Sequence, residues 1–151
     1  MREWIKLHEA RLVFSEPAGS WLVDAKAYWD LEAKHRGHPV ADQIAWDGVQ
    51  AGVPGECEGY IPCSLAVLSM TDAKYLDLYP KGAHAAEAVD RIDYILQEIL
   101  RPNSPYTIEA GDAMEIRESV AKLTGILERS AIPRKADVIA RLKRVEQIRP
   151  R

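Results

Sequence analysis

Much that would advertise a chemistry is missing from this chain. Only two cysteines occur in its 151 residues, so neither a four-cysteine zinc site nor a Cys-x-x-Cys redox pair is available. No apolar run approaches the ~18 to 20 residues that a membrane-spanning helix needs, which predicts no membrane insertion. The phosphate-binding and nucleophile motifs Gly-x-Gly-x-x-Gly, Gly-x-x-x-x-Gly-Lys-Ser/Thr and Gly-x-Ser-x-Gly are absent, as is His-Glu-x-x-His. The expectation is a protein that is not an enzyme and carries no cofactor. No charged-then-apolar leader opens the chain. Met1-Arg2-Glu3-Trp4 already stands inside a patterned segment, which reads as the continuation of a preceding domain.

What is present is ordinary globular composition, with 47% hydrophobic and 28% charged residues and a length suited to one domain. The net charge of −3 conceals a division. Residues 1–100 carry 9 Lys/Arg against 16 Asp/Glu, and residues 101–151 carry 11 against 7. An acidic majority does not suit the neutralisation of phosphates on which nucleic-acid binding rests, so no nucleic-acid partner is expected. The basic tail is read as a solvated helix face.

Trp4 to Phe14 alternates enough to be read as extended, a connector or trailing strand over residues 1–19. Glu16-Pro17-Ala18-Gly19 makes a turn, and Ser20 is a candidate N-cap. From there the apolar spacing predicts six helices over residues 20–149. The first runs from Trp21 to Arg36, with Trp21, Leu22, Ala25, Tyr28, Trp29 and Leu31 or Glu32 inward. Gly37 and Pro39 separate it from the second, Val40 to Ala51, with Ala41, Ile44, Ala45 and Trp46 inward. The stretch from Gly52 to Pro62 divides this pair from the next. A third helix spans Cys63 to Tyr79, a fourth Ala83 to Leu100, a fifth follows an Asp112 cap with Met114, Val120, Leu123, Ile126 and Leu127 inward, and a sixth carries Val138, Ile139, Leu142 and Val145. Short proline-marked connections make consecutive helices antiparallel, so the fold class is all-α, three helical hairpins after a short extended segment.

The three junctions are alike. His38-Pro39-Val40-Ala41, Tyr79-Pro80-Lys81-Gly82-Ala83 and Ile132-Pro133-Arg134-Lys135-Ala136 each place a proline between helices and small residues after it. The stretch Tyr75-Leu76-Asp77-Leu78-Tyr79-Pro80-Lys81-Gly82-Ala83-His84-Ala85-Ala86-Glu87-Ala88 resembles the helix-junction pattern of tetratricopeptide-like (TPR-like) proteins of bacterial envelopes. Prolines 39, 80 and 133 stand 41 and 53 residues apart, against a regular period of about 34. An irregular array is therefore what the resemblance implies, together with a non-enzymatic interaction module that binds a polypeptide on a helical surface. The alternatives are a structural scaffold domain without its own ligand and an enzyme whose site is assembled from dispersed residues.

Candidate sites are few. Tyr28, Trp29 and Trp46 concentrate aromatic surface in the first hairpin, as interhelical core or as a peptide-binding groove. Cys57 and Cys63 close a short disulfide if their Cα atoms come within ~7 Å. That bridge points to a periplasmic or secreted protein, free thiols to the cytoplasm. His35 and His38 lack companion ligands for a metal. His84 with Glu87 has the spacing of a routine helical pair, and Glu56 with Glu58 is read as a solvated acidic loop.

Overall fold

Where Ser20 is expected to open a helix, the computed structural model has a β-hairpin. It describes residues 3, 11–16, 19–51, 53 and 56–150. Strand β1 (Leu12–Ser15) pairs antiparallel with β2 (Ser20–Val23), Leu12 opposite Val23 and Ser15 opposite Ser20. Gly19, at φ +59°, supplies the left-handed turn residue between them. The helix starts only after Asp24, whose carboxylate accepts from the Lys26 amide at 2.8 Å. Asp24 is thus the true N-cap, and Trp21, Leu22 and Val23 belong to a strand, where bulky and β-branched residues fit the pleat. The expected extended segment is strand over Leu12–Phe14, and Trp4–Ala10 lies outside the described residues.

Among the described residues seven helices follow: α1 (Ala25–His35), α2 (Val40–Ala51), α3 (Ile61–Met70), α4 (Asp72–Leu78), α5 (Ala85–Leu100), α6 (Ala113–Arg129) and α7 (Lys135–Val145). The chain divides into two compact units, Met1–Glu56 and Cys57–Arg151, at the glycine- and proline-rich stretch.

In the first unit α1 packs on α2 across the connection Arg36–Pro39, where Gly37 adopts φ +93°. The His38 ring accepts from the Val40 amide through Nδ1 at 3.3 Å, which serves an orphan donor at the start of α2. Ala41, Ala45, Trp46 and Val49 are buried on α2, whereas the buried residue of α1 is Glu32. Trp21 and Leu31, expected inward, are exposed.

In the second unit the helix expected over Cys63–Tyr79 is broken in two at Thr71. The Thr71 hydroxyl donates to the Val67 carbonyl at 2.8 Å and lies 3.1 Å from an Asp72 carboxylate oxygen, a side-chain competition for backbone groups that bends helices. The pairs α3/α4 with α5, and α6 with α7, are joined by the Pro80 and Pro133 junctions. α3 and α4 pack along α6, and α5 along α7. Each of these pairs runs in one direction: Asp77, near the end of α4, bonds Arg129 at the end of α6, and Asp90 bonds Arg134 at the start of α7. The two proline junctions meet directly, the Ala131 amide donating to the Pro80 carbonyl at 3.2 Å. Between them lies one core built from Leu65, Leu76, Val89, Ile92, Leu96, Leu123, Leu127 and Leu142, all fully buried. Met114, expected inward, is 70% exposed; the inner face of α6 is set by Ile116, Val120 and Leu123, onto which Met114 does not fall.

Candidate interaction surface

How closely two helices approach depends on the size of the side chains at their contact. Gly48 on α2 presents none: a Cβ there would stand 3.1 Å from Tyr28 Cβ and 3.2 Å from Trp29 Cε2. Tyr28 and Trp29 are accordingly half-buried against α2, and Trp46 is only 5% exposed. Of the three aromatic candidates, Tyr28 alone lines an open groove. Its other walls are Leu22 and Val23 of β2 and Asp47, Gln50 and Ala51 of α2, around a volume of about 370 Å³. Beside it Phe14 and Trp21 stack edge to face across the hairpin, centroids 5.4 Å apart, and both are exposed. Glu32, buried on the same helix as Tyr28, is held by the Arg36 guanidinium in a two-pronged contact of 2.9 and 2.8 Å. The groove thus lies beside apolar strand side chains that are exposed, Leu22 and Val23 among them.

The other candidates are placed as follows. Cys57 and Cys63 are disulfide-bonded with Cα atoms 5.5 Å apart. The loop they close seats Gly59 (φ +78°) against Pro105 and exchanges hydrogen bonds with Thr107: Thr107 N donates to Gly59 O and Ile61 N to Thr107 O. Next to it the Tyr60 phenol, hydrogen-bonded to the Asp112 carboxylate, is pushed up to about 12. Asp112 does stand at the head of α6, but its side chain accepts from the Glu109 amide at 2.7 Å and not from the first turn. His84 and Glu87 are 3.8 Å apart on the surface of α5, and the His84 amide donates to the Tyr75 hydroxyl at 3.0 Å. Among the described residues no group of three His, Cys, Asp or Glu side chains is arranged to hold a metal ion, His35, His38, Glu56 and Glu58 included. No helix of the described residues is long and apolar enough to cross a membrane.

Sequence reasoning missed the buried acids of the second unit. Asp93 is 1% exposed and receives Arg134 at 3.0 Å and Arg141 at 2.7 Å. Asp72, also buried, faces Arg91 Nε at 3.1 Å. Burial pushes the Asp72 carboxyl above the usual carboxylate range, against the lowering effect of Arg91 and of the Thr71 hydroxyl. A signal was available for Asp93: it interrupts the apolar face formed by Val89, Ile92 and Leu96. The pairs also account for the charge division, because acids before residue 100 (Asp77, Asp90, Asp93) neutralise arginines after it (Arg129, Arg134, Arg141) inside one bundle. No family model, characterised protein or solved structure matches the chain.

Proposed function

We infer that the protein is a non-enzymatic interaction module of the TPR-like, helical-hairpin kind, which binds a polypeptide through the Tyr28 groove. The observation that carries this reading is the groove itself: two apolar strand residues, Leu22 and Val23, and an aromatic on α1 flank an open cleft. Phe14 and Trp21, on the same hairpin, are also exposed. Apolar surface of this sort, rimmed by Asp47 and Gln50, is the usual composition of a protein-binding patch. Trp29 and Trp46 act behind it, by fixing the distance between α1 and α2. The Cys57–Cys63 bridge supports an oxidising compartment, the periplasm or the cell exterior, as the place of work.

Crosslinking capture with the wild-type protein, Tyr28→Ala, Trp21→Ser and the buried control Trp46→Phe tests the reading. Loss of a captured polypeptide in the first two variants, with helicity and capture retained in the third, is the expected result. Equal capture by all four proteins removes the groove from the interaction, and no capture with an intact fold leaves the structural-scaffold reading in its place. Two free thiols in aerobically purified, denatured protein would contradict the compartment.

A further inference from the structure

At the end of the second unit away from the proline junctions lies a cavity of about 290 Å³. One part of its wall is aliphatic, Ile61 and Ile99, both buried, with Leu100, Ile108 and Ile148, and the rest carries Ser104, Tyr106 and Thr107. Arg101 and Arg149 also line it, and its lining contains no acidic residue. Arg101 is held by Glu98 at 3.2 Å. Arg149 reaches only the backbone carbonyls of Glu146 and Ile148, at 3.4 and 3.1 Å, and has no carboxylate partner among the described residues. The arginines bonded to Asp77, Asp90 and Asp93 are neutralised within the bundle, whereas Arg149 lies at the edge of this cavity with no carboxylate partner among the described residues.

We propose that this cavity binds a medium-chain aliphatic carboxylate, its chain against Ile61, Ile99, Leu100, Ile108 and Ile148 and its carboxylate on the Arg149 guanidinium, with Arg101 second. The size fits: a cavity of about 150 Å³ takes benzene, so roughly twice that volume takes a chain of about ten carbons. The charge fits, since a guanidinium beside an apolar site pairs with a carboxylate through two parallel hydrogen bonds. The polar lining favours an acyl chain over a peptide. The Ser104 hydroxyl already bonds the Glu98 carbonyl and the Tyr106 amide, and Thr107 gives its amide to Gly59 and its carbonyl to Ile61. A peptide bond placed against these groups would meet a hydroxyl and a backbone that are already engaged.

Isothermal titration calorimetry of the full, oxidised chain with decanoate, decanol, decyltrimethylammonium and N-acetyl-Ala-Leu carboxylate, all below their micelle concentrations, tests the proposal. Decanoate is expected to bind one to one, and decanol and the cationic amphiphile at least tenfold more weakly. Arg149→Gln is expected to cost about tenfold in decanoate affinity, and Arg101→Gln less. Both side chains are exposed, and circular dichroism confirms that the variants fold. A bulky Ile108→Trp, which fills the cavity from its rim, abolishes binding if the chain lies inside. Three results would overturn the assignment: no saturable decanoate binding up to about 1 mM, decanol binding as tightly as decanoate, or the acetylated dipeptide binding more tightly than either. None of these outcomes bears on the Tyr28 groove, which lies in the other unit.

Discussion

The two units of this chain solve the burial problem in opposite ways. Among the described residues, twenty of the twenty-four buried apolar side chains lie in the unit from Cys57 onward, and four lie before it. The exposed large apolar side chains are distributed the other way: Phe14, Trp21, Leu22, Val23, Leu31 and Val40 in the first unit, against Met70, Tyr94 and Met114 in the second. The second unit has enough helices to close a core around itself. Among the described residues the first shows one helical hairpin and a two-stranded sheet, and these leave several of their large apolar side chains exposed. The difference assigns stability to the second unit and surface chemistry to the first.

Core truncation should give the widest separation. Leu96→Ala, at a fully buried position, should lower unfolding free energy by about 3 kcal/mol, measured by urea denaturation followed by helical circular dichroism. An equal loss for Leu31→Ala, exposed on α1, would break the comparison. Reduction of the Cys57–Cys63 bridge should cost about 2 kcal/mol, the entropy of a loop this short. Denaturation with and without reductant reads it.

The buried acid pair comes next, and it carries a sign with pH. Asp72 has its carboxyl raised by burial, so its folded state prefers the protonated form. Its contribution is complete below the unfolded-state value, about 4, and is lost as pH rises through the higher folded value. Asp72→Asn should therefore match the wild type near pH 4 and exceed it in stability at pH 7. Arg91→Met removes the counter-charge and should destabilise the neutral protein by on the order of 2 kcal/mol, a figure lowered because Arg91 is partly exposed. A wild-type stability that rises across this window relative to Asp72→Asn would contradict the assignment.

Gly48→Ala sharpens the view of the first unit. The new methyl gains helix propensity, about 1 kcal/mol, but meets Tyr28 Cβ at 3.1 Å, an atom fixed to the α1 backbone. A net loss of about 1 kcal/mol is expected, with altered near-ultraviolet tryptophan signals. Smallest in stability is Trp21→Ser, within about 0.5 kcal/mol, because the ring is exposed; its larger effect is expected in the proposed capture experiment.

Much of the helical order was legible. The bounds of α2 follow from Pro39 and from the apolar residues Ala41, Ala45 and Trp46, and the face of α5 follows from Val89, Ile92, Leu96 and Ile99. The Cys57–Cys63 bridge was accessible because the five intervening residues, a glycine and a proline among them, limit where the second cysteine can go. The β-hairpin was not legible: Ser20-Trp21-Leu22-Val23 satisfies a helical stripe as well as a strand, and only pairing with Leu12–Ser15 decides between them. The break at Thr71 escaped for a similar reason, since threonine is tolerated in helices until its hydroxyl and Asp72 compete for the local backbone.

The candidate groove was legible through Tyr28 alone. Trp29 and Trp46 carried the same aromatic signal and became packing, because Gly48 admits α1 against α2. Local sequence thus determined the bounds of α2, the apolar face of α5 and which cysteines join, since proline geometry and apolar period act within a few residues of each position. Only tertiary structure decided which apolar residues stayed exposed, which acids were buried with which arginines, and that Arg149 stands beside a partly aliphatic cavity. Those outcomes depend on partners about forty to ninety positions away, such as Asp93 with Arg134 and Arg141 or Ile61 with Ile148, and no local periodicity records them.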